Sequence, residues 1–235
     1  MTVALALSPH LDDAAFSAGA TLAALTRTGW RVLVATLFTG NVPRPTGFAL
    51  ECQTSKGIPS EVDYMALRRA EDREAMAALG AEAIHLPLLE APHRGYDSPA
   101  ALFTPPRPDD PVGRQVKWAV ADLLDTHRPD LVLAPQSIGA HVDHIHVTNA
   151  ARACPGPVWF WRDWPYTIRA PERRPFAAVM AALPETGHPA TPADLAAKAR
   201  AAHAYRSQLP FQFGGPQTLD AALAASGPEL FRVSA

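Results

Sequence analysis

The 235-residue sequence has few of the features that mark several common classes of protein. Its two cysteines, Cys52 and Cys154, are too few for a disulfide framework and suit a reducing cytoplasm. The net charge of −2 includes no basic excess, which argues against a nucleic-acid partner. No apolar run approaches the roughly 18 residues of a membrane span, and no basic segment typical of a signal peptide precedes the first apolar run. We therefore expect a globular cytoplasmic protein without a membrane span.

Proline is the residue type in excess. The 24 prolines concentrate in four segments: 43–59, 92–111, 155–192 and 210–228. Because aromatic and leucine residues are interspersed among them, these segments are expected to be ordered loops that shape a binding site. The length and the hydrophobic content of 48% fit one domain over residues 1–235. Within it we expect an α/β core over about 1–165 and a proline-rich C-terminal extension over about 166–235 that packs on the core.

Short apolar runs alternate with helical patterns along the chain. Strands are predicted at 3–7, 31–38, 83–89, 129–135 and 158–162. Helices are predicted at 14–28, 62–79, 113–126, 144–152 and near 192–207, and residues 42–61 are expected to be irregular. This order predicts an α/β fold of three layers with a mostly parallel sheet.

Two clusters of histidine and aspartate follow strand-like runs. Ser-Pro-His-Leu-Asp-Asp at 8–13 comes after the first run, and His-Val-Asp-His at 141–144 comes after the fourth. In parallel sheets, ligands bind outside the carboxyl ends of the strands. We therefore expect the two loops to meet and to hold a divalent metal.

A catalytic metal needs about three protein ligands and an open position. His10 and Asp13 are three residues apart on a turn, so both side chains can point to one side, and His144 can supply the third ligand. Zinc suits these donors, although Fe(II) and other divalent ions also accept two histidines and one aspartate.

The remaining polar residues of the two loops suit the other tasks of metal-assisted hydrolysis. Asp12, next to a predicted ligand, is the candidate base for the attacking water. His141 is the candidate for stabilising the oxyanion and protonating the leaving group. We expect Asp143 to hold and charge the imidazole of His141.

These two loops, together with Gly19, closely resemble those of the LmbE-like (PIG-L) family of metal-dependent N-acetylglucosamine deacetylases. That family carries a Pro-His-x-Asp-Asp loop and a His-x-Asp-His loop on a Rossmann-like fold. The resemblance implies a zinc-dependent hydrolase that removes an N-acetyl group from a small-molecule amino sugar or its conjugate. It implies roles as follows: metal ligands His10, Asp13 and His144; general base Asp12; transition-state stabiliser His141, oriented by Asp143.

The resemblance extends to other parts of the chain. Arg68 begins a pattern that looks like the second helix of the family, whose arginine contacts the substrate. Glu90 stands where the family often has an acidic residue that holds sugar hydroxyls, and we expect His93 and Arg94 on the same loop to bind substrate as well. Residues 205–208 resemble a C-terminal helix pattern. Four departures put the substrate in doubt more than the chemistry: Leu11, Ala14, Ala20 and Val142.

Several alternatives stay open from the sequence. A deacylase of a non-sugar amide would use the same residues. A non-haem iron oxygenase or a non-catalytic Rossmann-like binding module are more distant alternatives, and the first loop lacks the glycines of a dinucleotide site. Trp159, Trp161 and Trp164 could stack on a sugar or belong to the core. Loops 42–61 and 91–112 are expected to decide the substrate, and the sequence leaves a homo-oligomer open.

Overall fold

A seven-stranded sheet forms the centre of the molecule. The computed structural model describes residues 1–234. The strands are β1 (Val3–Ser8), β2 (Arg31–Thr36), β3 (Glu82–His85), β4 (Leu131–Pro135), β5 (Val158–Trp161), β6 (Glu185–Gly187) and β7 (Leu230–Ser234). Their order is β3-β2-β1-β4-β5-β7-β6; β1 to β5 are parallel, and β7 runs antiparallel to both neighbours. The order 3-2-1-4-5 is that of a Rossmann-like sheet, so the predicted α/β fold is confirmed.

Helices cover both faces of this sheet and complete the three layers. They are α1 (Asp13–Arg27), α2 (Gly47–Thr54), α3 (Tyr64–Leu79), α4 (Val112–His127), α5 (Val142–Ala151), α6 (Tyr166–Arg169), α7 (Ala177–Ala181), α8 (Pro192–Ala204), α9 (Leu209–Phe213) and α10 (Pro216–Ala225). Helices α1, α3 and α8 pack together on one face, and α4 and α5 pack on the other. Within residues 1–234, no helix combines the length and apolar character needed to cross a bilayer.

The central strands are buried on both faces, which explains their continuous apolar sequences. In β1, Ala4 and Ala6 belong to the cluster under α1, whereas Leu5 and Leu7 belong to the cluster under α4. All four side chains are fully buried. A parallel strand with helices on both sides has no face for polar residues, and its first polar positions therefore fall at its ends.

Two local predictions are wrong. Residues 42–61 are not all irregular, because α2 lies within them. The third strand stops at His85, before Pro87, and does not continue to residue 89. The C-terminal extension also contributes strands to the sheet, since β7 lies between β5 and β6. Short strands such as β6 and β7 depend on pairing with distant residues, so their own sequences carry little signal.

A buried ion pair ties the C-terminal segment to the first helix. The Glu229 carboxylate accepts hydrogen bonds from the backbone N–H of Ala20 at 3.0 Å and of Thr21 at 2.8 Å, and from the Thr21 hydroxyl at 2.6 Å. Lys198 of α8 donates to the same carboxylate at 2.7 Å, and both charged side chains are more than nine-tenths buried. One side chain thus joins α1, α8 and the segment that leads into β7.

Replacing Glu229 with alanine should destabilise the protein strongly. The change leaves the buried Lys198 ammonium without its carboxylate, and a broken buried pair of this kind costs about 3–5 kcal/mol. Urea unfolding followed by circular dichroism measures the difference. The matched control is Glu74→Ala, which removes the exposed pair with Arg206 and should leave the unfolding midpoint nearly unchanged. Equal midpoints for the two variants would contradict the proposed anchor.

Candidate metal and catalytic site

The two histidine-aspartate loops meet at the carboxyl ends of β1 and β4, which are neighbouring strands. The first loop turns sharply after β1. Ser8 shapes this turn, because its hydroxyl donates to the His10 carbonyl at 2.8 Å and accepts the Ala14 N–H at 3.1 Å. The second loop follows β4 and ends at His141, directly before α5. The predicted meeting of the two loops is therefore observed.

Three predicted ligand atoms converge on one point. The Asp13 Oδ2 atom lies 3.2 Å from His10 Nδ1 and 3.2 Å from His144 Nε2. The same oxygen also accepts the backbone N–H of His10 at 2.8 Å, which holds the carboxylate in place. These two nitrogens and one oxygen, contributed by two separate segments, form a donor set that suits a divalent metal.

A carboxylate behind each of the two imidazoles fixes its orientation. Asp143 Oδ2 lies 3.0 Å from His10 Nε2, and Asp163 Oδ1 lies 2.8 Å from His144 Nδ1. If these far nitrogens carry the protons, the nitrogens that face Asp13 present lone pairs, as metal ligands require. Within residues 1–234, the buried His144 Nε2 has no hydrogen-bond partner, which fits an atom shaped for a metal.

The electrostatics of the same residues also fit a cation. Burial would raise the pKa of Asp13, but His144 and His10 outweigh it and hold that pKa well below its usual range. Burial would lower the pKa of His144, but Asp13 and Asp163 outweigh it and raise the pKa to about 9. The site therefore attracts positive charge strongly, and a divalent ion bound there would satisfy the same attraction.

His141 is a geometric alternative to Asp13 as a ligand. Nitrogens of His10, His141 and His144 lie within 4.8 Å of one another. However, His141 Nδ1 accepts the backbone N–H of Asp143 at 3.2 Å, so the neutral ring carries its proton on Nε2. A protonated nitrogen cannot bind a metal, and the set with Asp13 is the better one.

In the part of the chain that the structure describes, the Asp143 carboxylate makes no hydrogen bond with the His141 ring, so that prediction is wrong. The Asp143 carboxylate instead contacts His10, the N–H of Ala91 at 3.1 Å and Arg94 at 2.8 Å. The physical reason is the start of α5, where the His141 ring accepts the Asp143 backbone N–H while the Asp143 carboxylate is held by three other groups. Burial and the neighbouring His10 lower the pKa of His141 to about 3, so its imidazole is neutral and offers an N–H donor.

Asp12 combines burial with backbone strain. Its φ of 147° lies in the region that favours glycine, and the side chain is only 5% exposed. Such strain costs on the order of 1–3 kcal/mol and commonly marks a functional position. Burial and the charge of Asp13 raise the pKa of Asp12 to about 7, while Arg68, at 3.7 Å, lowers it. The carboxylate is thus suited to accept and return a proton near neutral pH.

A cavity of about 400 Å³ opens over these loops. Arg68 and Glu90 both line it, as expected for substrate-binding residues. They pair with each other at 2.6 Å, and Arg68 also donates to the Leu11 carbonyl at 3.1 Å. Within residues 1–234, the buried Arg68 Nε has no hydrogen-bond partner.

Two residues predicted to bind substrate lie elsewhere. Arg94 does not line this cavity, because its guanidinium is buried between Asp143 and Asp110; the structure makes it a support for Asp143. His93 lines a neighbouring cavity of about 270 Å³.

Trp159, Trp161 and Trp164 do not line the main cavity either. Trp161 is fully buried, Trp159 packs on the core, and Trp164 stacks on Phe213 with ring centroids 4.9 Å apart.

The sequence reasoning missed two residues of the site. Asp163 holds His144 and also accepts the Ile138 N–H at 3.0 Å, which shapes the second loop. Its position directly after the fifth strand was an available signal.

Tyr166 lines the cavity because Gly139 has no side chain: a Cβ there would lie 2.5 Å from the Tyr166 ring. Burial and the charges of Asp13 and Asp12 raise the pKa of Tyr166, so its hydroxyl stays protonated. No sequence pattern marks this contact.

Solved structures of two deacetylases resemble the whole fold. A teicoplanin deacetylase in its zinc-inhibited form superposes with a TM-score of 0.81 at 25% identity, covering 99% of this chain and 98% of that one. The deacetylase of the A40926 pseudoaglycone superposes with a TM-score of 0.77 at 26% identity, covering 98% and 96%. Both similarities extend over the C-terminal strands and helices.

Sequence comparison points to the same group of proteins. The 2'-N-acetylparomamine deacetylase of Streptomyces fradiae is 35% identical over 168 residues, which are 69% of this chain and 57% of that protein. The chain thus aligns with little more than half the length of that relative. The PIG-L family model, described as GlcNAc-PI de-N-acetylase, matches residues 5–154, which include both metal-site loops. The chain therefore belongs to the PIG-L family.

Proposed function

We propose that this protein is a metal-dependent N-deacetylase that hydrolyses the acetamide of an amino sugar or amino-sugar conjugate. The observation that supports this most directly is the convergence of His10 Nδ1, Asp13 Oδ2 and His144 Nε2 beside Asp12. His10 and Asp13 line the cavity above them. Two similar proteins, named as deacetylases of a paromamine compound and of teicoplanin, support deacetylation as the reaction class. We infer zinc as the ion from the donor set.

The free thiols of Cys52 and Cys154 suit a reducing compartment, and we infer a cytoplasmic location.

In the proposed reaction, a divalent metal held by His10, Asp13 and His144 would lower the pKa of a bound water and polarise the amide carbonyl. Asp12 accepts a proton from the attacking water as the new carbon–oxygen bond forms. The neutral His141 donates its Nε2–H to the developing oxyanion, where a donor in a buried site is most effective. Asp12 then returns the proton to the nitrogen as the carbon–nitrogen bond breaks, and acetate and a free amine are the products.

Arg68 and Glu90 orient the sugar in this proposal. Their mutual ion pair fixes both side chains and leaves carboxylate lone pairs of Glu90 for hydroxyl groups. Arg68 also keeps a positive charge 3.7 Å from Asp12, which limits how far burial raises the pKa of that carboxyl. Asp143, Asp163 and Arg94 act on the imidazoles and do not touch the substrate.

Amine release from a substrate panel tests the reaction. The panel contains N-acetylated amino sugars, their glycosides, and N-acetylated amines without a sugar. We expect release of acetate and free amine from at least one sugar compound, and loss of that activity on treatment with a chelator. Turnover confined to the amines without a sugar would replace the proposed substrate class with a non-sugar amide, and an inert panel would contradict the function.

Removing a ligand should remove the metal. His10→Ala or Asp13→Ala leaves two of the three donors, and we expect bound metal to fall well below one equivalent in elemental analysis of the purified protein. The matched control is His203→Ala, whose ring pairs with Asp220 at the surface and should keep full metal content. Full metal content in both ligand variants would exclude this site.

Asp12→Asn should separate metal binding from chemistry. The amide has nearly the same size but cannot accept the proton of the attacking water, so kcat should fall by roughly 10²–10⁴-fold. Metal content should remain that of the unaltered protein, because Asp12 is not among the three ligands. Undiminished kcat with normal metal content would remove Asp12 as the base.

A further inference from the structure

Residues 90–111 form most of the connection between β3 and α4, and Glu90 of the cavity wall stands at their start. They contain two short 3₁₀ turns, Ala91–Arg94 and Ala101–Phe103. A long connection built from such short elements has few backbone hydrogen bonds of its own, so its buried side chains decide how well it is ordered.

The guanidinium of Arg94 joins this segment to the start of α5. Its Nη2 donates to Asp143 Oδ1 at 2.8 Å and to Asp110 Oδ2 at 3.1 Å. Its Nη1 donates to the Leu89 carbonyl at 2.6 Å. The Arg94 side chain is only 9% exposed. Because a planar guanidinium has fixed donor directions, two carboxylates that bind it are held in a fixed relative position.

Asp110 holds this guanidinium from the far end of the segment. Its side chain is only 1% exposed. Besides Arg94, its Oδ2 accepts the Tyr96 hydroxyl at 3.0 Å, and its Oδ1 accepts the Val112 N–H at 3.0 Å, at the start of α4. A buried ion pair is by itself weak evidence for stability, and the partners of this one indicate that it fixes geometry.

The Asp143 carboxylate is the junction between the segment and the metal site. Its Oδ2 lies 3.0 Å from His10 Nε2 and also accepts the Ala91 N–H at 3.1 Å. The oxygen that orients a proposed metal ligand therefore also holds the residue next to Glu90. A continuous series of buried contacts thus runs from His10 through Asp143 into the segment.

We infer that Arg94 and Asp110 are positioning residues that couple the proposed metal site to the segment with Glu90. A metal bound to His10 fixes the ring, and the ring keeps Asp143 where it accepts from the segment. In the other direction, Asp110 holds the guanidinium, so the ordered segment keeps the ring in the orientation that the metal needs. Coupling between two sites is reciprocal, so metal and segment order stabilise each other by the same free energy. This inference rests on the proposed function for its metal site and does not depend on the identity of the substrate.

Asp110→Asn should weaken metal binding although Asp110 is not a proposed ligand. The neutral amide cannot keep the ion pair with Arg94, and we expect the Kd for Zn²⁺ to rise by about tenfold. Competition with a chromophoric chelator, starting from the metal-free protein, measures this Kd. The matched control is Asp109→Asn, which removes the exposed pair with Arg107 and should keep the Kd. An unchanged Kd in Asp110→Asn overturns the inference.

Arg94→Lys tests the same coupling through a second residue. The variant keeps the positive charge, but an ammonium lacks the planar fork that binds both carboxylates, so a similar rise in the Kd for Zn²⁺ is expected. Circular dichroism checks that each variant is folded, and Arg94→Lys decides the matter if Asp110→Asn is not. A purely structural role would lower the urea midpoint of the variants and leave the zinc affinity of the folded protein unchanged, which would overturn the inference.

Hydrogen exchange measures the coupling in the opposite direction on the unaltered protein. Removing the metal with a chelator should cause a loss of protection in peptides that cover residues 89–96, and Zn²⁺ should restore it. In Asp110→Asn we expect Zn²⁺ to restore little of this protection, and peptides of α10 serve as the internal control. Zinc binding with equal protection in both states overturns the inference alone, whereas a protein that binds no zinc contradicts the proposed function and the inference together.

Discussion

The proposed metal site depends on two hydrogen bonds between a carboxylate and an imidazole, one of them fully buried. Asp143 holds His10 by Nε2, and Asp163 holds His144 by Nδ1. Each bond turns the other ring nitrogen toward Asp13, so that three donor atoms face one point. The carboxylates are themselves held, Asp143 by Arg94 and Asp163 by the Ile138 N–H. Without these supports, the imidazoles could rotate and the donor set would lose its geometry.

The parallel sheet makes these contacts possible because it brings the ends of distant strands together. The two histidines of the proposed metal site and the carboxylates that hold them come from the segments after β1, β4 and β5, which are adjacent in the sheet. The loops are strained where they turn: Asp12, Ser137 and Ala140 all have positive φ values without being glycine. Strain of this kind persists only where surrounding contacts enforce it, here the packed helices and the buried hydrogen bonds.

The C-terminal third of the chain contributes to the packing of the fold and to the wall of the cavity. Glu229 joins it to α1 and α8, and β7 pairs with β5, the strand that leads to Asp163. The same third supplies Tyr166 and Phe211 to the cavity wall. The two histidine-aspartate loops lie within the family match over residues 5–154, whereas these two aromatic residues lie beyond it.

The sequence by itself determined the α/β class, the succession of the first five strands along the chain and the loops that carry the proposed metal ligands. These features are local: apolar runs mark buried strands, and histidine with aspartate directly after a strand marks the binding end of a parallel sheet. Only the tertiary structure decided which carboxylate supports which imidazole. In the structure, the Asp143 carboxylate contacts His10 and not the His141 ring, and Arg94 supports that carboxylate. Asp163 holds His144, and Tyr166 lines the cavity. Such contacts join residues that are far apart in sequence. The direction of each side chain depends on where a helix begins or on whether a neighbouring residue lacks a Cβ, and a sequence pattern does not show either.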